Sequence, residues 1–197
     1  MLLILKISRF ILYLPIFLYY RVCFKGFGWR SVIKSPSTSI VGKKYIVIGK
    51  SSIILKHARI EAVTHYGSKS YTPKLRIGDN VVINQNFHCT CAESVFIGEG
   101  TSITANCGVF DIIHPYQDIN VNPRIADIEV NPVRIGKNCL IGMNSVILPG
   151  SILGDHCIVG ANSTVSGKFP SYSVIVGSPA KIIKSYNISS GKWDKIG

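Results

Sequence analysis

Acid is scarce in this chain. Asp and Glu number 10 against 22 Lys and Arg in 197 residues, a formal net charge of +12. That surplus favours a phosphorylated ligand, an anionic membrane face or nucleic acid over a basic partner. Nucleic acid has only the charge to support it, because no binding motif accompanies the lysines, and it is not expected as a partner. Long apolar runs are lacking too. The longest uncharged stretch near the N-terminus, Phe10 to Tyr20, is 11 residues, about half the roughly 20 that span a bilayer. No small-residue cleavage site follows it, and Arg21, Lys25 and Arg30 lie on the wrong side for an export signal. The six cysteines, Cys23, Cys89, Cys91, Cys107, Cys139 and Cys157, include no C-x-x-C pair and no zinc-like or secreted-disulfide spacing. They read as reduced thiols of a cytosolic protein, and no metal is expected.

Residues 1–30 form a compositional zone of their own. Apolar residues and tyrosines there are flanked by Lys6, Arg9, Arg21, Lys25 and Arg30, the make-up of a helical element lying peripherally in a membrane interface. A helix packed on the body of the protein or on a partner subunit is the alternative. Residues 31–186 form the body and 187–197 a tail.

The body has neither helical 3.6-residue spacing nor long alternating strands. What it has is a period of six. Ile48, Ile54 and Ile60 keep it, as do Ile77, Ile83 and Cys89, then Ile97, Ile103 and Val109. After a break come Ile135, Ile141, Ile147, Leu153, Val159 and Val165. Glycine follows many of these residues, and four positions after most stands something small, as in Thr101, Cys107, Cys139, Ser145, Ser151, Cys157 and Ser163. One large and one small inward side chain per hexad suits a narrow interior. The pattern predicts a parallel β-helix of about five coils, one short strand per hexad and three hexads per coil. Two segments interrupt it, 63–74 and 110–134, and the second must leave the prism as a loop. The segment "SPAKIIKSY" reads as a short C-terminal cap, helical after Pro179.

The hexads, "NQN" at Asn84 to Asn86, His114-Pro115 in the extruded loop, and "VGANSTVSGKFPSYSVIVGSPAKIIK" from Val159 resemble the left-handed β-helix hexapeptide-repeat acyltransferases. The likeness is greatest to the sugar and surface-polysaccharide O-acetyltransferases. The resemblance covers about residues 40–186 and implies an acetyl-CoA-dependent O-acetyltransferase without metal, a cytoplasmic homotrimer with active sites at its subunit interfaces. Its acceptor would be a free, lipid-linked or nucleotide-linked saccharide. His114 would be the general base and Asn84 the group contacting the acceptor or the reacting centre. Met143, Ala161, Ser166, Gly167, Lys181 and Lys184 would hold the coenzyme, with Lys168 adding charge, and Asn86, Glu93 and Asp111 are further acceptor-side candidates. Asp111 and Asp118 are candidates to orient the His114 ring, the alternative being surface loop carboxylates without that role.

A neutral imidazole suits the deprotonation of a sugar hydroxyl near neutral pH. Asn84 follows the second inward residue of its coil and His114 the third of the next, so they leave from different edges and meet only between subunits. Ala92-Glu93 and Leu140 depart from the pattern of the galactoside and maltose enzymes, which leaves the acceptor open. His57, His65, His88 and His156 read as partly exposed or satisfied. The rival readings are an amino-sugar N-acetyltransferase on the same fold, a carbonic anhydrase-like protein and a non-enzymatic solenoid.

Overall fold

A computed structural model describes residues 2–34 and 38–196, with side chains from residue 13 onward; Lys6 and Arg9 of the expected basic flank lie outside the described side chains. The chain winds as a three-sided prism whose faces are parallel sheets. Strand pairing puts the six-residue repeats in register. Phe27, Ile48, Ile77, Ile97, Ile135, Leu153 and Phe169 stack along the first face. Ile33, Ile54, Ile83, Ile103, Ile141, Val159 and Ile175 stack along the second. Ile40, Ile60, Cys89, Val109, Ile147 and Val165 stack along the third.

The small positions are inside as well: Thr101, Cys107, Cys139, Ser145, Ser151, Cys157 and Ser163 are all buried. They do more than save space. Thr101 Oγ1 donates to the Gly136 carbonyl at 2.9 Å and Ser145 Oγ to the Gly160 carbonyl at 2.9 Å. Cys139 Sγ donates to the Gly154 carbonyl at 3.2 Å. Each ties a corner carbonyl of the next coil to the interior. Burial pushes the Cys89, Cys91 and Cys107 thiols up, so they behave as small hydrophobes.

The corners turn on left-handed backbone, held by Asn80, Asn86, Asn106, Asn138, Asn144 and Asn162 with φ between 52° and 61°; asparagine tolerates this region better than most residues. Glycine serves where coils touch. A Cβ on Gly136 would stand 2.5 Å from the Gly154 carbonyl carbon.

Three expectations change. The third sheet has six strands and the first has seven, so the prism has six full coils and a two-sided seventh, not about five. The count from the sequence missed the ends, where Phe27 and Phe169 replace the aliphatics and the step from Ile33 to Ile40 is seven residues. The C-terminal cap is strand, not helix: Ala180–Asn187 pairs antiparallel with Ser173–Gly177, and Lys192–Lys195 pairs with it in turn. The last rung of the second face presents unpaired backbone groups, and folding back satisfies them. Strands also pass the expected limits of the body, from Gly26–Phe27 to Lys192–Lys195.

Helix α1 (Leu2–Cys23) closes the N-terminal end. Phe17 and Tyr20 lie against the core, their rings 6.1 and 5.0 Å from that of Phe27. The opposite side leaves Ile16, Leu18, Tyr19 and Val22 exposed. Among the described residues no helix is long and apolar enough to cross a membrane.

The stacks carry a prediction. Ile141→Ala should lower the unfolding free energy by about 2–5 kcal/mol and Ile141→Val by about 0.5–1.5 kcal/mol, read from denaturant midpoints. A tolerated Ile141→Ala would show that the registered stack is not what holds the prism.

Candidate active site

Strands of the third face run long where the repeats break. Arg59–Ala62 and His88–Cys91 are four residues each, and their outward positions pave the floor of a cleft of about 670 Å³. In register across this floor lie Arg59 beside His88, and Glu61 beside Thr90, with Phe110 on the far side of Thr90. The walls are the two excursions. One is the hairpin His65–Tyr66 with Lys69–Ser70, and the other is a loop stemmed by Ile112–Ile113 against Glu129–Val130. Leu148 and Pro149 of the following coil bound the cleft further along the axis.

His114 stands at the rim, just past the stem of the second loop, exposed to solvent. Its Nδ1 lies 3.2 Å from the Pro123 carbonyl oxygen. A carbonyl only accepts, so this contact selects the tautomer with a proton on Nδ1 and leaves the Nε2 lone pair free. The edge of the Tyr66 ring packs on the imidazole at 5.3 Å.

Asp111 does not perform the orienting role expected of it. Fully buried, its carboxylate accepts from the backbone N–H groups of Ala92, Glu93 and Ser94, each at 2.8 Å. It ties the root of the 110–134 loop to the corner of the preceding coil. Asp118 accepts from the Asn120 backbone and amide within its own turn. The partner of the His114 ring is a peptide oxygen, which no spacing of carboxylates could have indicated. The exposed Glu93 side chain sits at that same corner.

Asn84 lies at the corner between the second and third faces, and its Nδ2 donates to the Ile103 carbonyl at 3.1 Å. One N–H and the amide oxygen remain for other partners. Asn86 instead joins a ladder along one edge, Asn86 to Asn106 to Asn144 to Asn162, at 2.8 to 3.0 Å; its placement is that of a corner residue, not an acceptor contact. His114 belongs to the corner between the third and first faces. Asn84 and His114 therefore project from different edges of one chain.

Met143 and Ala161 line the same edge as Asn84, two and three coils on, both exposed. Lys181, opposite Val176 on the folded-back strand, stands at that edge too, with Lys184 opposite Val174 further along. Ser166 and Gly167 lie at the edge of His114 instead, with Lys168 beginning the next first-face strand. The expected coenzyme residues thus fall on two edges, as the catalytic pair does.

Nothing in its neighbourhood in the chain sets His88 apart from the other histidines. It takes the ordinary outward place of its hexad, before the inward Cys89, and the four-residue strand adds Thr90 beside it as a second outward position in the cleft. Half-buried with its ring 5.1 Å from that of Phe110, it has its pKa lowered from 6.5 by burial and then by Arg59, with Glu61 opposing. Among the described residues no three His, Cys, Asp or Glu side chains are grouped so as to hold a metal ion.

The His88 shift predicts a pH dependence. The unfolded chain takes up this proton before the folded one as pH falls, so the contribution to stability is full above pH 6.5 and is lost as pH drops through the lower folded value. Urea midpoints measured downward from pH 7 should fall less steeply for His88→Gln than for the parent; parallel profiles would remove the assignment.

Residues 132–167 match the family described as bacterial transferase hexapeptide (six repeats). The chain is 40% identical over 124 residues to the putative lipopolysaccharide biosynthesis O-acetyl transferase WbbJ of Escherichia coli K12, covering 59% of this chain and 63% of that protein. With the galactoside O-acetyltransferase of the same organism the identity is 31% over 119 residues, covering 60% and 57%. The chain thus spans about three-fifths of the length of these relatives. The structure of AntD, an N-acyltransferase from Bacillus cereus in complex with dTDP and 3-hydroxybutyryl-CoA, superposes with a TM-score of 0.70 at 21% identity, over 86% of this chain and 87% of that one. The six-residue repeat and the parallel β-helix of this chain are thus similar to those of the bacterial hexapeptide-repeat transferases.

Proposed function

We propose that the protein is an acetyl-CoA-dependent O-acetyltransferase that acetylates a sugar hydroxyl in surface-polysaccharide assembly. The observation that carries this is His114, with Nδ1 held on a carbonyl and Nε2 free at the rim of a cleft of about 670 Å³. In the reaction Nε2 takes the proton of the acceptor hydroxyl as its oxygen bonds to the thioester carbonyl carbon. The C–S bond then breaks, and the imidazolium returns the proton to the coenzyme sulfur. No acyl-enzyme forms. The cleft floor suits a saccharide, since Phe110 offers an aromatic face and Glu61, Thr90 and neutral His88 offer hydrogen-bonding partners.

Acetyl-CoA fits the edge of Met143, Ala161 and Lys181, where small residues admit an extended arm and lysines meet its phosphates. Asn84 stands on that edge, so its free N–H and a coenzyme lying there would meet the His114 of another copy. This favours a homotrimer with shared sites. Fed acetyl-CoA and a panel of sugars, nucleotide sugars and lipid-linked saccharides, the protein should release CoA with a hydroxyl acceptor. His114→Ala should slow this by roughly 10²- to 10⁴-fold. Turnover confined to amine acceptors would replace O-transfer by N-transfer, and full activity in His114→Ala would remove the base.

The exposed row Ile16, Leu18, Tyr19 and Val22, with Lys25, Lys34 and Lys44 exposed at the same end, favours peripheral attachment to the cytoplasmic face of an anionic membrane. The full chain should co-float with phosphatidylglycerol vesicles, and Leu18→Glu combined with Val22→Glu should abolish this. Equal flotation of the variant would point away from α1.

A further inference from the structure

We propose that Tyr66, in the 63–74 excursion, is a positioning residue for His114, holding the loop peptide that selects the imidazole tautomer. Its functional meaning rests on the general-base reading above. The two excursions leave the prism from different coils, yet they close on each other. Tyr66 Oη donates to the Arg124 carbonyl at 2.5 Å. Ser68 donates to Asp127 twice, from its backbone N–H at 2.6 Å and from its hydroxyl at 2.8 Å, and these donors hold the Asp127 carboxyl below its ordinary pKa. Tyr71 Oη donates to the Ile128 carbonyl at 2.9 Å. Gly67 makes the tip with φ 60°, and a Cβ there would collide with Asp127 Oδ1.

Two consecutive carbonyls of the long loop are therefore in use. That of Pro123 takes His114 Nδ1, and that of Arg124 takes Tyr66 Oη. The Tyr66 ring meanwhile meets the imidazole at 67°, edge to face. A neutral imidazole in water prefers its proton on Nε2, the tautomer that cannot take a proton from an acceptor at Nε2. A fixed acceptor at Nδ1 reverses that preference. His114 is exposed and Asp111 is turned away to the backbone, so the aim of the Pro123 carbonyl sets the tautomer. Tyr66 and the Ser68–Asp127 clasp hold that aim.

The test needs no acceptor. In labelled full-length protein at pH 8, the ring nitrogens of His114, assigned by their loss in His114→Ala, should report predominantly Nδ1–H. Tyr66→Phe keeps the ring and removes one hydroxyl, and should move the tautomer ratio toward Nε2–H by roughly 3- to 10-fold, the span of one hydrogen bond. Asp127→Ala should do the same. Unfolding midpoints should stay at the parent value, because both excursions lie outside the stacked core. A parent already in the Nε2–H form, or an unchanged ratio in Tyr66→Phe, overturns the proposal. Where Asp127→Ala disorders the hairpin, Tyr66→Phe alone decides. With an acceptor in hand, Tyr66→Phe should lower kcat by the same factor and leave KM for acetyl-CoA unchanged; the reverse split would count against positioning. Full turnover in His114→Ala would end the catalytic reading and leave the tautomer result standing.

Discussion

The structure depends on registered stacking. Each coil must place its inward side chains over those of the coil before it, and the backbone of every strand inside a sheet pairs with both neighbours along the axis. This leaves no slack within a strand: one extra residue there would turn an inward aliphatic to solvent and break the rung. Additional chain has to leave at a corner and return in register. The prism in effect chooses where function can be attached.

Both excursions use this freedom, and both depart from the end of the third face. The strand at the root of the first, Arg59–Ala62, and the strand stacked between the two roots, His88–Cys91, lengthen to four residues, which adds an outward position per strand and turns a plain face into a floor. Asp111 then fastens the root of the long loop to the Ala92–Ser94 corner with three hydrogen bonds. A buried carboxylate is tolerated there because three backbone N–H groups donate to it. Beyond that root the shorter hairpin braces the loop through Tyr66 and Ser68. The solenoid thus carries His114 on two mutually supporting loops.

Much of this was legible in one dimension. Periodicity of six with alternating large and small slots leaves one architecture, and every repeat residue from Ile48 to Val165 that set the pattern is inside. The ends were read less well, since a Phe in place of Ile and one seven-residue step hide a coil from counting. The cap failed for a related reason: "AKIIKSYN" carries no helical stripe, and its fate was decided by the open edge it meets.

The site divides along the same line. By itself the sequence determined which residues stack, where the chain must leave the prism, and that a histidine travels with the longer departure, because these follow from a strict local period. Only the tertiary structure decided what that histidine touches. Pro123 and Tyr66 reach it from separate excursions, Asp111 turns away from it, and His88 faces the same cleft from another strand. Such contacts join residues that no period relates, and their geometry exists only once the coils are stacked and the loops have closed over them.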